Sequence, residues 1–482
     1  MENKTLIANA NNTIQVISQC LVTDLATQKA FEPIQEDLAS LYQLRALVLF
    51  AQLELTSIFK AILCTEHVCA KRYHNKNLKA YASECYKMLY HYGKARKRSV
   101  WGKFEKMVQA EGNAAQMQQY TNITNQLDAF GNTQIDKLLR DATMHYDGDM
   151  SAVYNMTVAL KSESDAAKFY CNFVDILQQM QSLVTEIINK LTQSVTSSLK
   201  VTIKNHLLGD EKCKEIWKDT QLKESVELVL SRAPQELDEV ARIKSSLENT
   251  VVRLKGMMVP SIVSDSDLVF DELRVPIDLS NVQMLLRQTF IDIVVVCESF
   301  YNSTNTMEAA LNLRRLVVHQ AAMMALLYGY EANEQTNSQW QKMVPLVPQC
   351  LIGQMVTVEE WIKILLPFID KSKRHGFVHL YDEKGNARLA EFVDSMEVMD
   401  FQYELGVSNG VVQLYGLLMP FLTDLMNEIA AQKHQETEDS TQRVNVMLDG
   451  IIDVLKQAPL EEDKKSNGIA KIEEIKKRLE QF

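Results

Sequence analysis

The stretch "LRALVLFAQLELTSIFKAIL", residues 44–63, is apolar almost all the way round a helical wheel. A helix with apolar side chains on every face is typical of the centre of a helical bundle. Glycine and proline, which tend to end helices, number only 16 and 9 among 482 residues. The stretch therefore predicts the central helix of an all-α protein.

The chain is longer than one hydrophobic core usually serves, so we expect more than one domain. We predict up-and-down helical bundles and a connector helix that begins near Ser231 and Pro234. The stretch 259–280 contains Pro and Asp, and it is expected to be irregular and to mark a boundary. The predicted divisions are an N-terminal bundle with a basic insertion (1–195), a helical connector (196–275), a C-terminal bundle (276–432) and a charged helical tail (433–482).

The eight cysteines are scattered singly and form no CxxC pair, which is typical of reduced thiols in a cytoplasmic protein. The N-terminus has neither a basic region nor a long apolar run, so no signal peptide is expected. Apolar runs such as "FIDIVVVC" are far shorter than the roughly 20 residues of a membrane span. We therefore expect no membrane association.

No phosphate-binding loop, HExxH sequence or nucleophile elbow is present, and no cofactor is predicted. Cys64, His67, Cys69 and His74 lie close together, but their spacing fits no strong zinc pattern. We therefore predict no metal site.

The net charge is −11, yet residues 71–107 carry eleven Lys and Arg against two Glu. Tyrosines and Trp101 alternate with these cations, and single-stranded RNA binds such surfaces through stacking and phosphate contacts. A surface pair of basic helices with its tyrosines packed inward would give the same composition. The residues predicted to bind RNA are Lys94, Arg96, Lys97, Arg98 and Trp101, with Lys137 and Lys373 beside the motifs described next.

A weak internal repeat runs through the chain. "LRALV" (44–48) resembles "LRRLV" (313–317), and each opens a long apolar helix. Downstream of each, an arginine is followed by a histidine five residues later: Arg140 and His145 in "LLRDATMHYDGD", Arg374 and His379 in "KRHGFVHLYDEKGN". Thr133 is expected to cap the helix of the first copy. The same order of features in both halves indicates a duplicated unit.

Arginine and histidine at this spacing suit RNA cleavage without a metal. A guanidinium is a permanently charged, planar fork for a phosphate. A histidine exchanges protons with oxygen atoms near neutral pH. Attack of a ribose 2′-OH on the adjacent phosphorus needs only a base, an acid and such a charge, so the two motifs together could supply the reaction.

The two motifs resemble the HEPN superfamily, in which arginine and histidine are separated by four to six residues and a polar residue follows the arginine. Asp141 and His375 occupy that polar position, and a tyrosine follows the histidine in each copy (Tyr146 and Tyr381). The resemblance covers roughly residues 35–195 and 280–430. It implies two facing helical bundles in one chain, a tandem pseudodimer with one composite cleft.

The resemblance also implies roles for these side chains. The two arginines would bind the scissile phosphate, and the two histidines would act as general base and general acid. Asp141 and His375 would orient their neighbours, and the two tyrosines would support the pocket. The implied partners are RNA as substrate and an antitoxin or other component of a defence system. The oligomeric state is not predicted.

Two alternatives stand beside this interpretation. Each motif could be a solvated helix end with an incidental histidine, and the chain could be a non-catalytic helical scaffold that holds RNA, a nucleotide or a protein. The chain also contains a third Arg-to-His pair of the same spacing, Arg314 and His319 in "RRLVVH", with only apolar residues before the histidine. We predict that this pair lies in a helix core.

Overall fold

The computed structural model describes residues 2–145, 150–160, 163–192, 201–210, 220–257, 266–336, 338–369, 389–457 and 462–479. These residues form α-helices and short 3₁₀ turns and contain no strand, which confirms the all-α prediction. The helices of the N-terminal half are α1 (Glu2–Phe31), α2 (Glu36–Cys64), α3 (Val68–Leu89), α4 (Val100–Glu111), α5 (Ala114–Thr133), α6 (Lys137–His145), α7 (Met150–Ala159) and α8 (Glu163–Thr192). Those that follow are α9 (Thr220–Met257), α10 (Ser266–Tyr301), α11 (Thr306–Leu327), α12 (Ala332–Thr336), α13 (Gln339–Met343), α14 (Ile352–Leu365), α15 (Leu389–Glu397), α16 (Phe401–Gln457) and α17 (Glu462–Leu479).

Helix α2 is the central helix that its sequence predicts. Nearly all of its side chains from Leu38 to Ile62 are buried, and it packs against α1, α3 and α8. Burial of an apolar side chain contributes about 1.5–3 kcal/mol each, so this helix anchors the surrounding bundle.

Charged side chains cross the core in pairs that join helices distant in sequence. Lys60 of α2 lies 3.0 Å from both carboxylate oxygens of Glu308 on α11, and Arg315 of α11 donates to Glu54 of α2 at 2.7 Å. The residue numbers rise along α2 as they fall along α11, so the two helices run antiparallel. All four side chains are buried, and each charge is compensated inside the protein.

A second buried ion pair joins α3 to α10. Lys76 Nζ lies 2.5 Å from Asp292 Oδ2, and both side chains are completely buried. The Lys76 ammonium also lies 4.5 Å from the centre of the Tyr73 ring, where the ring quadrupole attracts a cation. The pair fixes the position of α3 relative to α10.

The connector helix differs from its prediction. Helix α9 starts at Thr220 and continues through Pro234, whereas the sequence predicted a start near Ser231. Ser231 donates its hydroxyl to the Leu228 carbonyl rather than capping a new helix. Buried residues at helical spacing continue across the proline (Val226, Leu230, Ala233, Leu237, Val240), and their packing outweighs the hydrogen bond lost at proline.

The stretch 259–280 was expected to be irregular, and this prediction is wrong from Ser266 onward. Helix α10 begins at Ser266 and continues to Tyr301. Its described core residues Met284 and Leu285 pack with Val240 of α9 and Ala142 of α6. The stretch from Ser266 to residue 280 and the apolar sequence after it therefore belong to one long helix.

The described contacts divide the chain into two compact units. The first comprises residues 1–342 and 359–416, and the second comprises 343–358 and 417–482. The first unit thus contains helices from both predicted bundles and from the predicted connector.

Three helical segments are long and apolar enough to cross a membrane by length and composition alone. They are Glu36–Cys64, Leu279–Tyr301 and Phe401–Gln432, and 83%, 89% and 50% of their most apolar windows are buried within the protein. We expected no membrane span because the uninterrupted apolar runs are short. The apolar helices are longer than those runs, because apolar residues continue on both sides of isolated charged residues such as Glu54 and Asp292.

Candidate functional site

Helix α6 carries the first Arg-to-His motif. The Asp136 side chain accepts a hydrogen bond of 3.0 Å from the Leu139 backbone N–H and so caps the start of the helix. Thr133, the expected cap, instead donates its hydroxyl to the Ala129 carbonyl at the end of α5. Arg140 and His145 consequently lie on one helix, which the structure describes from Lys137 to His145.

Two carboxylates hold Arg140. Its Nε donates to Glu84 of α3, and its Nη1 donates to Asp141. The Arg140 and Glu84 side chains are only 13% and 14% exposed, whereas Asp141 is 46% exposed. Burial would lower the pKa of Arg140, but the carboxylates of Glu84 and Asp141 together outweigh it and raise that pKa. The guanidinium is therefore a fixed cation with one buried and one accessible partner.

Several predicted site residues lie outside the part of the chain that the structure describes. They are the His145 side chain, Tyr146, and the whole second motif with Lys373, Arg374, His375, His379 and Tyr381. The convergence of the two motifs on one cleft accordingly stays a prediction.

The third Arg-to-His pair lies in the core, as predicted. Arg314 is 3% exposed and His319 is completely buried. The Arg314 guanidinium carbon lies within 5.6 Å of the ring centres of Phe50, Tyr81 and Phe392, so aromatic rings surround this cation. Arginine and histidine at this spacing therefore also occur as core residues in this protein.

The aromatic residues of the basic segment (71–107) mostly face inward. Trp101 is completely buried, stacks on Tyr120 at 5.1 Å between ring centres, and donates its indole N–H to Thr124. Four of the tyrosines are also buried: Tyr73, Tyr81, Tyr86 and Tyr90. Trp101 thus presents no open ring face on which a base could stack.

The cations of the basic segment are divided between the interior and the surface. Arg96 forms an ion pair with Asp128 and lies 5.3 Å from the centre of the Tyr90 ring. Lys97 and Arg98 are exposed. The side chain of Lys94 lies outside the described set. The exposed cations are the part of this segment that a nucleic acid could reach.

Tyr92 connects the first motif to the basic segment. Its hydroxyl donates to the Ser83 carbonyl at 3.1 Å, and the ammonium of exposed Lys137 lies 4.2 Å from its ring centre. Burial raises the pKa of Tyr92, and the nearby Glu84 carboxylate raises it further. The ring of Tyr86 lies 5.5 Å from that of Tyr92. A row of aromatic rings therefore lies between α6 and Arg96.

Sequence reasoning missed Glu84, the buried partner of Arg140. Its signal was its charge, because Glu84 and Glu105 are the two acidic residues among eleven Lys and Arg in the basic segment. A carboxylate isolated in such a segment is well placed to pair with a cation from elsewhere in the chain. The charge pattern of the segment therefore distinguishes both acidic residues, Glu84 and Glu105, from their basic neighbours.

Among the described residues, no group of three or more His, Cys, Asp or Glu side chains is arranged to hold a metal ion. Comparisons with protein-family models, with curated proteins and with solved structures give no match.

Proposed function

We propose that this chain is a metal-independent endoribonuclease of HEPN type that acts in the cytoplasm, in a toxin or defence context. The observation that carries the proposal is helix α6, which bears Arg140, Asp141 and His145 together.

The contacts of Arg140 fit a phosphate-binding role. Asp141 is about half exposed, so an RNA phosphate can displace it from Nη1 while buried Glu84 keeps Nε in place. A guanidinium held by a buried carboxylate loses little conformational freedom when it binds a phosphate. In the proposed reaction, O2′ loses a proton to one histidine and bonds to phosphorus. The 5′-oxygen then leaves with a proton from the other histidine.

The antiparallel contact of α2 with α11 supports the two-bundle arrangement. These helices carry the two copies of the "LRxLV" repeat, and a two-fold axis perpendicular to a helix brings it against its equivalent in an antiparallel, self-complementary contact. We propose that Arg374 and His379 complete the cleft from the second copy, with His375 and Tyr381 beside them. An antitoxin that covers this cleft is the proposed partner.

Replacing both motif histidines is expected to reduce cleavage of single-stranded RNA about 100-fold or more, because general acid–base catalysis contributes about 10²–10⁴-fold. The measurement compares wild-type protein with the double variant His145→Ala, His379→Ala in the presence of EDTA. Products should end in a 2′,3′-cyclic phosphate. His206→Ala, which removes an exposed histidine outside both motifs, is the control and should cleave normally. Equal cleavage by wild type and double variant would refute the proposal.

A non-catalytic RNA-binding function is the second candidate. It is favoured by the Arg140 contacts, since Glu84 and Asp141 already balance its charge and the side chain is only 13% exposed. Exposed Arg98 and Lys137 would then supply phosphate contacts, together with Lys97.

Charge reversal separates this candidate from a purely structural role of the basic segment. The variant Arg98→Glu, Lys137→Glu is expected to weaken RNA binding at least tenfold and to reduce its salt dependence, because each phosphate contact releases counterions. The matched control reverses two exposed lysines elsewhere, Lys4→Glu and Lys223→Glu. Filter binding at several salt concentrations measures both variants. Equal losses in the two would show that only net charge matters.

A further inference from the structure

A cavity of about 570 Å³ lies between the 3₁₀ turn Gly93–Arg98 and helices α4 and α5. Its volume falls within the range of small-molecule sites, about 300–1,000 Å³. The residues that line it are Tyr90, Gly93, Arg96, Lys97, Gly102, Glu105, Tyr120, Thr121 and Thr124. None of them belongs to an Arg-to-His motif.

The fold builds this cavity from the close approach of two backbones. A Cβ at Gly102 would lie 2.3 Å from the Arg96 carbonyl oxygen and 3.0 Å from the Lys97 Cα, so only glycine fits there. Ser99 caps α4 by accepting from the Gly102 N–H at 2.9 Å, and Asn113 caps α5 in a reciprocal capping box. The walls are therefore set by the backbone and by helix caps.

The lining combines three kinds of chemistry. Arg96 and exposed Lys97 are cations on one backbone segment. Tyr90 and Tyr120 line the cavity and are otherwise buried, at 4% and 6% exposed. Glu105, one helical turn after Gly102, also lines the cavity. Its carboxylate can accept hydrogen bonds from a ligand.

We propose that this cavity binds a nucleoside monophosphate. Its phosphate would bind exposed Lys97 and share the Arg96 guanidinium with Asp128, its base would lie beside Tyr90 and Tyr120, and Glu105 with Thr121 would accept hydrogen bonds from the ribose hydroxyls or an exocyclic amine. An inorganic phosphate would occupy only a small part of the volume, and an uncharged ring compound would make no use of the exposed Lys97 ammonium. The nucleotide is either free or the end of an RNA chain.

The test is isothermal titration calorimetry on the full-length protein with AMP, GMP, CMP and UMP, and separately with adenosine and inorganic phosphate. At least one monophosphate should bind, and adenosine and phosphate should each bind at least tenfold more weakly than AMP if AMP is that ligand. A 5′-phosphorylated tetranucleotide that binds more tightly than the mononucleotide would identify an RNA end as the source. Weaker binding of the tetranucleotide would identify the free nucleotide. Absence of binding by all four monophosphates at millimolar concentration would overturn the proposal.

Two variants locate the bound nucleotide. Lys97→Ala should weaken monophosphate binding at least tenfold, while Lys103→Ala, which removes an exposed lysine of α4 that does not line the cavity, should bind as wild type does. Thr121→Trp places a large ring in the cavity from an exposed position and should abolish binding with an unchanged urea-unfolding transition. Wild-type binding by Lys97→Ala or by folded Thr121→Trp would contradict the assignment. These titrations need no cleavage, so they are independent of the proposed ribonuclease activity.

Discussion

The variant Lys76→Met is expected to lower the free energy of unfolding by about 3–5 kcal/mol, because removal of one member of a buried ion pair leaves the other charge uncompensated. Both Lys76 and Asp292 are completely buried, 2.5 Å apart. Burial lowers the pKa of Lys76, and the Asp292 carboxylate opposes that shift. Without the ammonium, the carboxylate loses its ion-pair partner and must stay buried as an anion or take up a proton, and either result weakens the contact between α3 and α10.

The experiment is urea unfolding at pH 7 with two comparison variants. Lys29→Met makes the same chemical change in an exposed pair with Asp394, where the two side chains are 51% and 43% exposed, and should cost at most about 1 kcal/mol. The double variant Lys76→Met, Asp292→Leu removes both charges of this pair and should recover most of the lost stability. A cost for Lys76→Met no larger than that for Lys29→Met would show that the pair contributes little.

The sequence predicts the helices better than the charges inside them. The apolar faces of 44–63 identify α2 correctly, because burial on all sides leaves a direct compositional signal. The same composition hides Glu54 and Lys60, which look like exceptions until their partners on α11 are known. Those partners lie 261 and 248 residues away. Single-sequence periodicity carries no information on which distant helix packs against a given face.

The candidate site shows the same contrast between local features, which the sequence predicts, and contacts with distant residues, which it does not. Spacing predicted that Arg140 and His145 share a helix, since both lie within one local pattern. It did not predict that Glu84, 56 residues earlier, would hold the arginine, or that Trp101 would pack inward on Tyr120. Aromatic residues among cations are equally compatible with a surface on which bases stack and with an aromatic core that faces the protein interior. Tertiary packing decides between them.

Pro234 indicated the start of a helix, but tertiary packing continues the preceding helix through it. Pro234 follows Ser231 as it would at the start of a helix, yet α9 already begins at Thr220. Buried residues before and after the proline lie on one face, and their contacts with α10 extend the helix through it. A local stop signal of about 3 kcal/mol is outweighed where several apolar side chains are buried on both sides.

His319 is expected to make the protein less stable as the pH falls below neutrality. Its ring is completely buried, and burial lowers the pKa of His319 from 6.5 to about 4. Asp292 favours protonation, but nearby Lys76 and Arg315 oppose it. Between pH 6.5 and 4 the unfolded chain therefore binds this proton and the folded protein does not, so stability rises with pH in that window. Above pH 6.5 the histidine is neutral in both states and its contribution is constant.

The expected loss from this one group is about 3 kcal/mol between pH 7 and pH 4, since each unit of pKa difference corresponds to about 1.4 kcal/mol. The measurement is the urea-unfolding free energy at half-unit pH steps for wild type, His319→Phe and His206→Ala. Carboxylates titrate in all three proteins, so only the difference between their curves reports on His319. His319→Phe should lose less stability on acidification than wild type, whatever its stability at pH 7, because phenylalanine takes up no proton in either state. His206→Ala removes an exposed histidine and should follow the wild-type curve. Parallel curves for wild type and His319→Phe would mean that the buried ring is protonated as readily in the folded protein as in the unfolded chain, so the charges of α3 and α10 around it would have to compensate for its burial.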